Sequence, residues 1–154
     1  MPTSLGARKK NSQVKIMRET IALPGYEFVE KIAAGVGTII YRATRTSDNR
    51  SVVVKLLSSE HPTIEEIGRL KQEFIITQHL VDCKGVIKAH ALEKYKNGFA
   101  LVLEDLVGTS MKQMLGEPMH LADKLRVGLA LANTLAEIHR LGVIHKDIKP
   151  SNIL

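Results

Sequence analysis

The residues best suited to chemistry lie together near the end of the sequence. A carboxylate, an ammonium and an amide occur within one short segment, His145-Lys146-Asp147-Ile148-Lys149-Pro150-Ser151-Asn152, directly after a long apolar run. Asp147 could accept a proton, and Lys149 could hold a phosphate group as a point charge. This segment is therefore the first candidate for an active site, and the elements before it must position it.

The composition is that of a globular domain with a basic N-terminus. The 154 residues are 44% hydrophobic, and the formal net charge is +6. Much of that charge lies in a segment without acidic residues, at Arg8, Lys9, Lys10, Lys15 and Arg18. We interpret residues 1–22 as a basic flexible arm, since such segments are usually solvated. A basic nucleic-acid-binding protein is a remote alternative, because no aromatic residues for base stacking are interleaved with the cluster.

Cysteine content and hydropathy indicate the compartment. Cys83 is the only cysteine in the sequence, so neither an intrachain disulfide nor a metal site made of cysteines can form. This is compatible with a reducing cytoplasm. No apolar run approaches the length of a membrane span, and the N-terminus lacks the apolar core of a signal peptide. The sequence therefore predicts a cytoplasmic protein with no membrane span and no nucleic-acid partner.

Short β-rich runs separated by turn residues predict five strands. We expect them at residues 26–32, 39–45, 51–57, 86–95 and 99–103. Asn97-Gly98, between the last two, is a dipeptide typical of two-residue hairpin turns.

The pattern between and after these strands predicts helices. Thr63-Ile64-Glu65-Glu66 has the form of a capping box, and the helix that it opens should end near His79. Glu73 falls on the apolar stripe of that helix. Later helices are expected at 110–115 and at 122–141, the second closed by Gly142. The long helix is apolar on more than one side, which predicts burial in a larger body.

Five strands with one helix after the third, then helices and an Asp-x-x-x-x-Asn loop, resemble the eukaryotic-type Ser/Thr protein kinase domain. The resemblance covers roughly residues 26–154. It implies an α+β fold, in which a kinase-like small lobe (a five-stranded antiparallel sheet plus one helix) precedes the first helices and catalytic loop of a truncated large lobe. The implied boundaries are 1–22 for the arm, 23–106 for the small lobe and hinge, and 107–154 for the start of the large lobe.

Several short motifs are similar to the kinase head of large bacterial hybrid sensor kinases. They are Pro24-Gly25-Tyr26, Tyr41-Arg42, Arg45-Thr46-Ser47 and the segment from His145 to Pro150. Proteins of that class join a Ser/Thr kinase domain to an ATPase-like region, a GAF sensor and a histidine kinase. The partners implied are ATP, a protein substrate carrying Ser or Thr, and further sensor or histidine kinase regions of a longer chain.

The resemblance assigns the catalytic loop. It implies Asp147 as the base, Lys149 as the phosphate contact and Asn152 as a Mg²⁺ ligand, with ATP and Mg²⁺ as cofactors. Lys146 stands where the family usually has arginine, and lysine is a poorer partner for a phosphorylated activation segment. Control by activation-loop phosphorylation is therefore in question.

The resemblance also assigns an ion pair upstream. Lys55 ends Val52-Val53-Val54-Lys55 and resembles the strand lysine that bridges the α- and β-phosphates of ATP. Glu73 is its implied partner on the helix. Glu66 lies on the same stripe and is the rival.

The remaining implied residues would surround the nucleotide. Ala33, Gly35 and Gly37 belong to the Gly-rich loop, where backbone amides must approach phosphate oxygens closely. The family has glycine where this sequence has Ala33 and Thr38. Leu103 would be the gatekeeper next to the hinge. Backbone groups of Glu104 and Leu106 would bind adenine, and the apolar walls would be Ile32, Ile40 and Val53.

Two interpretations remain beside the nucleic-acid alternative. The first is an ATP-dependent Ser/Thr protein kinase domain, present as an N-terminal fragment that is expected to be inactive alone because the Asp-Phe-Gly metal ligand is not in the sequence. The second is a non-catalytic, pseudokinase-like module that binds a nucleotide or a partner protein.

Overall fold

The computed structural model describes residues 21–106, 108–116 and 118–154. Five strands form one antiparallel sheet with the spatial order β1-β2-β3-β5-β4. They are β1 (Tyr26–Ala34), β2 (Thr38–Arg45), β3 (Arg50–Leu57), β4 (Ala89–Tyr95) and β5 (Gly98–Glu104). Helix α1 (Ile64–His79) follows β3, and α2 (Met111–Met114) and α3 (Leu121–Arg140) follow β5. The predicted five-stranded sheet with one inserted helix is confirmed, while the arm at 1–22 lies almost wholly outside the described residues.

The predicted capping box opens α1. Thr63 Oγ1 accepts a hydrogen bond from the Glu66 backbone N–H at 3.2 Å. In return the Glu66 carboxylate accepts one from the Thr63 backbone N–H at 2.8 Å. Two N–H groups that the helix cannot satisfy internally are thereby bonded, which explains why α1 begins here.

The turn between β4 and β5 lies one residue earlier than predicted. Tyr95 pairs with Gly98, so the turn residues are Lys96 and Asn97. Lys96 adopts a φ of 47°, in the left-handed region. Gly98 is buried, and a Cβ added to it would lie 3.2 Å from Pro62 Cγ. Glycine at this position therefore serves the close packing against Pro62 and is not needed for the backbone geometry of the turn.

The sheet contributes to a core on each of its faces, because successive side chains of a strand point to opposite sides. The face that packs against α1 contains the buried residues Leu70, Ala89, Leu101 and Leu103. The other face contains Ala43, Val52, Val54, Leu56, Ala100 and Val102, with Leu23 packed on it. Strand β3 thus lies between two apolar layers, which holds its side chains in place.

The end of α1 is joined to α3 through a third buried cluster, made of Leu80, Cys83 and Ile138. Thr134 of α3 donates a hydrogen bond from Oγ1 to the Lys84 carbonyl at 3.2 Å. Val86 packs against the same cluster. Val86 therefore serves this joint, and regular pairing of β4 with β5 begins only at Ala89 and not at the predicted residue 86.

Helix α3 ends at the predicted glycine. Gly142 adopts a φ of 75°. Its N–H donates to the His139 carbonyl at 3.0 Å, and the Val143 N–H donates to the Ile138 carbonyl at 3.0 Å. This pair of bonds is a Schellman motif, which needs a residue in the left-handed region and favours glycine there.

Most of the apolar side of α3 is exposed among the described residues, so its predicted burial in a larger body stays a prediction. Leu121, Leu125 and Leu129 are 71%, 64% and 64% exposed. Within the described ranges, Ile138 is the one residue of α3 that is buried. The joint with α1 reaches only the C-terminal part of α3, so within the described residues the apolar side chains of its first turns stay exposed. No helix in the described part of the chain is both long and apolar enough to cross a bilayer.

Candidate active site

Two rows of side chains cross the sheet on the face that packs against α1. In one row Lys55 of β3 pairs with Ile40 of β2 and Leu101 of β5. In the next row Val53 pairs with Arg42 of β2 and Leu103 of β5. Paired residues of an antiparallel sheet project to the same face. The sheet register therefore brings the predicted residues Ile40, Val53, Lys55 and Leu103 together.

Helix α1 places a carboxylate on Lys55. The Lys55 ammonium lies 2.8 Å from Glu73 Oε1 and 2.7 Å from Oε2, so both oxygens accept from one Nζ. The two side chains are 23% and 39% exposed. Leu70, one turn earlier, is buried against the sheet and fixes the helix at this distance. The ammonium is held at the edge of the open face and remains accessible to an anion.

The structure uses Glu66, the rival partner, elsewhere. Its carboxylate is bonded to the Thr63 backbone N–H at the start of α1. The choice between Glu66 and Glu73 thus follows from capping, because a carboxylate that completes the first turn cannot also reach the middle of the sheet.

The loop between β1 and β2 is held by backbone bonds at its two ends. The Gly35 N–H donates to the Thr38 carbonyl at 2.9 Å, and the Ser58 N–H donates to the Gly37 carbonyl at 3.0 Å. Gly37 adopts a φ of 79°, which a residue with a Cβ rarely does. Ala33 pairs with Ile40 just before this turn. The Gly-rich loop therefore begins beside the row that contains Lys55.

The segment after β5 leaves the sheet at the predicted hinge. Leu103 is buried, and the Glu104 N–H donates to the Lys88 carbonyl at 2.9 Å. Leu106 lies beyond the end of β5, so the sheet does not use its backbone N–H and C=O. Leu106 and Ile32 of β1 are each 44% exposed. Leu106, predicted to bind through its backbone, and Ile32, predicted as an apolar wall, are thus both accessible.

The loop after α3 brings three polar side chains together. Asp147 Oδ2 lies 2.7 Å from Lys149 Nζ and accepts a hydrogen bond from Asn152 Nδ2 at 3.0 Å. Asn152 Nδ2 also donates to the Asp147 carbonyl at 3.0 Å. A 3₁₀ turn over Pro150–Asn152 returns the chain so that residue 152 faces residue 147. Lys146, before the aspartate, adopts a left-handed φ of 62°.

These contacts change the acidity of Asp147. The hydrogen bond from Lys149 is the largest cause that lowers its pKa below the ordinary aspartate value, and the bond from Asn152 adds to it. Partial burial acts in the opposite direction and is outweighed. Hydrogen bonds to the charged form of a carboxyl favour that form. Asp147 is therefore ionised at neutral pH and can accept a hydrogen bond from a hydroxyl.

Comparison with known proteins identifies the family. Residues 26–154 match the protein kinase domain. The chain belongs to the protein kinase family. The match also confirms the predicted fold class, a kinase-like small lobe followed by the first helices of a large lobe.

Relatives of this kinase domain come from several bacteria. A probable serine/threonine-protein kinase of Clostridium perfringens is 30% identical over 134 residues, which are 84% of this chain and 19% of that protein. One of Clostridium acetobutylicum is 27% identical over 138 residues, 88% of this chain and 21% of that protein. The serine/threonine-protein kinase PknK of Mycobacterium tuberculosis is 27% identical over 133 residues, 84% of this chain and 12% of that protein. The chain spans about a fifth of the length of the two clostridial relatives.

The loop after α3 offers oxygen atoms that fit a Mg²⁺ ion shared with phosphate groups. Because Asn152 donates through Nδ2, its Oδ1 can serve as a hard oxygen ligand beside the Asp147 carboxylate. Mg²⁺ in proteins usually keeps several waters and takes one or two protein oxygens together with substrate phosphates. Within the described residues, no group of three or more His, Cys, Asp or Glu side chains could hold a metal ion. The oxygens of Asn152 and Asp147 are few enough to suit a metal whose remaining ligands are water and phosphate.

Leu154 is a residue beside the segment after the hinge that sequence reasoning did not single out. Its side chain is 62% exposed, and a Cβ added to Gly108 would lie 4.0 Å from its Cβ. The Met111 N–H donates to the Ile153 carbonyl at 2.8 Å, which ties this end of the loop to the segment after the hinge. The signal available in the sequence was an apolar residue two positions after Asn152.

One cavity among the described residues lies away from this site. Its volume is about 340 Å³, and its lining includes Ile39, Tyr41 and Leu56. The sheet register places these three side chains on the face opposite Lys55. The cavity opens at the end of β3 next to the β4–β5 hairpin. The candidate site is an open face rather than an enclosed pocket, so only the side-chain chemistry identifies it.

Proposed function

We propose that this kinase domain binds ATP with Mg²⁺ on the Lys55 face of the sheet and that the protein transfers the γ-phosphoryl group to Ser or Thr hydroxyls of proteins. The observation that supports this best is the Lys55 ammonium, which both oxygens of Glu73 hold at 2.7–2.8 Å. A lysine fixed in this way presents a point charge at a set position, which phosphate binding requires.

The adenine would lie between apolar side chains next to the hinge. Ile32, Ile40 and Val53 would contact it from the sheet, and Leu103 would close the slot at its inner end. Leu154, beside Gly108, would contact the opposite side. Burial of the base against these side chains would stabilise the complex through the hydrophobic effect.

Hydrogen bonds and charge would then orient the nucleotide. The Glu104 carbonyl and the backbone of Leu106 would bond to the base, because the Glu104 N–H already donates to Lys88 and Leu106 lies beyond the end of β5. The backbone of Ala33, Gly35 and Gly37 would approach the phosphates. Mg²⁺, when bound through Asn152, would neutralise phosphate charge.

The loop residues would act on the hydroxyl of the substrate. Asp147 would orient the Ser or Thr hydroxyl and accept its proton as the O–P bond forms. Lys149, 2.7 Å from Asp147, would contact the transferred phosphoryl group and offset its negative charge. The phosphoryl group leaves ADP and the hydroxyl oxygen becomes the phosphate ester.

Nucleotide binding by the 154-residue chain tests the first half of this proposal. Calorimetry with ATP and Mg²⁺ should show saturable binding, and Lys55→Met should raise Kd about tenfold through loss of a charge-assisted contact. Lys31→Met is the matched control, because Lys31 of β1 pairs with Tyr41 and lies on the opposite face. Equal affinities of wild type and Lys55→Met would refute the nucleotide-site assignment.

Phosphate transfer by the natural full-length gene product tests the second half. Transfer from γ-labelled ATP to protein Ser or Thr should be lost in Asp147→Asn. Nucleotide binding should persist in that variant, since Asp147 is not among the residues proposed to contact the base. Transfer that survives in Asp147→Asn would exclude this residue as the base.

The exposed apolar side of α3 supports a second candidate, a non-catalytic module that binds a partner protein. Leu121, Leu125 and Leu129 lie at helical spacing and are mostly exposed. A full-length protein that binds ATP but transfers no phosphate would favour this alternative.

We also propose, from the motifs shared with hybrid sensor kinases, that sensor or histidine kinase regions accompany this domain. The reading frame of the natural gene tests this directly.

A further inference from the structure

Asp105, which follows Glu104 at the hinge, carries its charge on a nearly buried side chain. The Asp105 side chain is only 4% exposed. Its Oδ2 accepts a hydrogen bond from Arg42 Nε at 2.8 Å and another from Ser51 Oγ at 2.6 Å. Burial alone would raise the pKa of Asp105, but the bonds from Ser51 and Arg42 outweigh it and hold the pKa below the ordinary value. The hinge is thus bonded through a carboxylate to β2 and β3.

Arg42 extends this connection to the first strand. Its Nη1 is bonded to the Glu30 carboxylate on β1, while its Nε is bonded to Asp105. Arg42 also pairs with Val53, so it lies on the face of the sheet that carries Lys55. One guanidinium therefore joins the hinge to the two strands that flank the Gly-rich loop.

The opposite side of the hinge is fixed as well. The Glu104 N–H donates to the Lys88 carbonyl at 2.9 Å, and the Lys88 N–H donates to the Glu104 carboxylate at 2.6 Å. A buried carboxylate is costly unless it stays bonded, so Asp105 resists any hinge position that breaks its contacts. Fixing a binding segment before the ligand arrives reduces the entropy lost on binding.

We propose that Arg42 and Asp105, completed by Ser51, are positioning residues that hold the hinge backbone in the geometry that the adenine base requires. The inference rests on the proposed nucleotide function and deepens it. None of these three side chains needs to touch the nucleotide, because they act through the backbone of the hinge.

The test measures the affinity for the base and the affinity for the phosphates separately. Affinities for adenosine and for Mg²⁺-tripolyphosphate are measured by calorimetry or by ligand-observed NMR at about 0.15 M salt, where distant charges are screened. Asp105→Asn and Arg42→Gln should each weaken adenosine binding about tenfold, or 1.4 kcal/mol. Both should leave tripolyphosphate binding unchanged. The two substitutions change the net charge in opposite directions, so a shared loss cannot be a long-range charge effect.

Coupling and control variants complete the design. The double variant should lose no more adenosine affinity than either single variant, because each substitution breaks the same contact between Arg42 and Asp105. Arg45→Gln is the control. Arg45 lies on β2 as Arg42 does, and it forms a comparable pair with Asp48, which is away from the hinge. This variant should bind both ligands as wild type does. If Arg42→Gln does not fold, Ser51→Ala removes one bond to Asp105 and should weaken adenosine binding about threefold.

Unchanged adenosine affinity in Asp105→Asn, or an equal loss for both ligands, would overturn the inference while leaving the nucleotide site intact. Wild-type protein that binds neither ligand would instead refute the proposed function. In that case hydrogen exchange decides the structural part: the Leu106 amide should exchange faster in Asp105→Asn than in wild type. Equal exchange rates would overturn the positioning role.

Discussion

Gly85 lies at the joint between the small lobe and α3, and its replacement by alanine tests how that joint is held. Gly85 adopts a φ of 81°, and a Cβ added to it would lie 2.5 Å from Thr134 Oγ1. The same Oγ1 donates to the Lys84 carbonyl. Alanine at this position should therefore destabilise the fold in two ways, through the strain of its own positive φ and through the clash with Thr134.

The magnitude follows from these two contributions. A left-handed backbone costs a residue with a Cβ about 1–2 kcal/mol. Thr134 can turn its hydroxyl away from the new methyl group, but it then loses the bond to Lys84, worth about 0.5–1.5 kcal/mol. Gly85→Ala should therefore lower the free energy of unfolding by about 1.5–3.5 kcal/mol.

Urea denaturation followed by circular dichroism measures this change, and a second substitution separates the causes. In a Thr134→Ala background the neighbour is absent, so Gly85→Ala should cost only the backbone part, about 1–2 kcal/mol. Gly116→Ala is the matched control, because Gly116 has a φ of 102° with no atom within 4 Å of the added Cβ. Equal costs of Gly85→Ala in the two backgrounds would refute the proposed contact with Thr134.

Three further predictions concern the core, the α1 cap and the catalytic loop. Leu101 is the fully buried member of the Lys55 row, so Leu101→Ala should lower the free energy of unfolding by about 2–5 kcal/mol in urea denaturation. Thr63→Ala removes half of the capping box and should cost about 1 kcal/mol in the same assay, whereas Thr63→Ser should cost much less. Because the bond from Lys149 lowers the pKa of Asp147, the carboxylate stays ionised to lower pH than an ordinary aspartate. Lys149→Met should therefore raise that pKa, which a carboxyl ¹³C titration by NMR measures; an unchanged midpoint would show that the contact is absent in solution.

Local patterns predicted most of the fold. The T-x-x-E sequence of the capping box placed the start of α1, and Gly142 placed the end of α3, because both signals depend on bonds between residues close in sequence. The Asn97-Gly98 signal placed its turn one residue too late. Gly98 is glycine because Pro62 packs against it, and that contact joins residues far apart in the chain.

The candidate site was predictable in its residue types and less so in its contacts. Lys55 and Glu73 could be named from motif spacing, but the exclusion of Glu66 became evident only from its bond to Thr63. No sequence signal indicated that Arg42 pairs with Asp105. Their charges are 63 positions apart, and only the antiparallel register places both at the hinge.

By itself, the sequence determined the order of the elements, the helix ends and the Asp147–Asn152 loop. These depend on periodicity and on hydrogen bonds within a few residues. Tertiary structure alone decided which carboxylate meets Lys55, how the hinge is anchored and which part of α3 is covered. Such contacts arise from sheet register and from the packing of distant segments, and the energy of each depends on neighbours that no local pattern specifies.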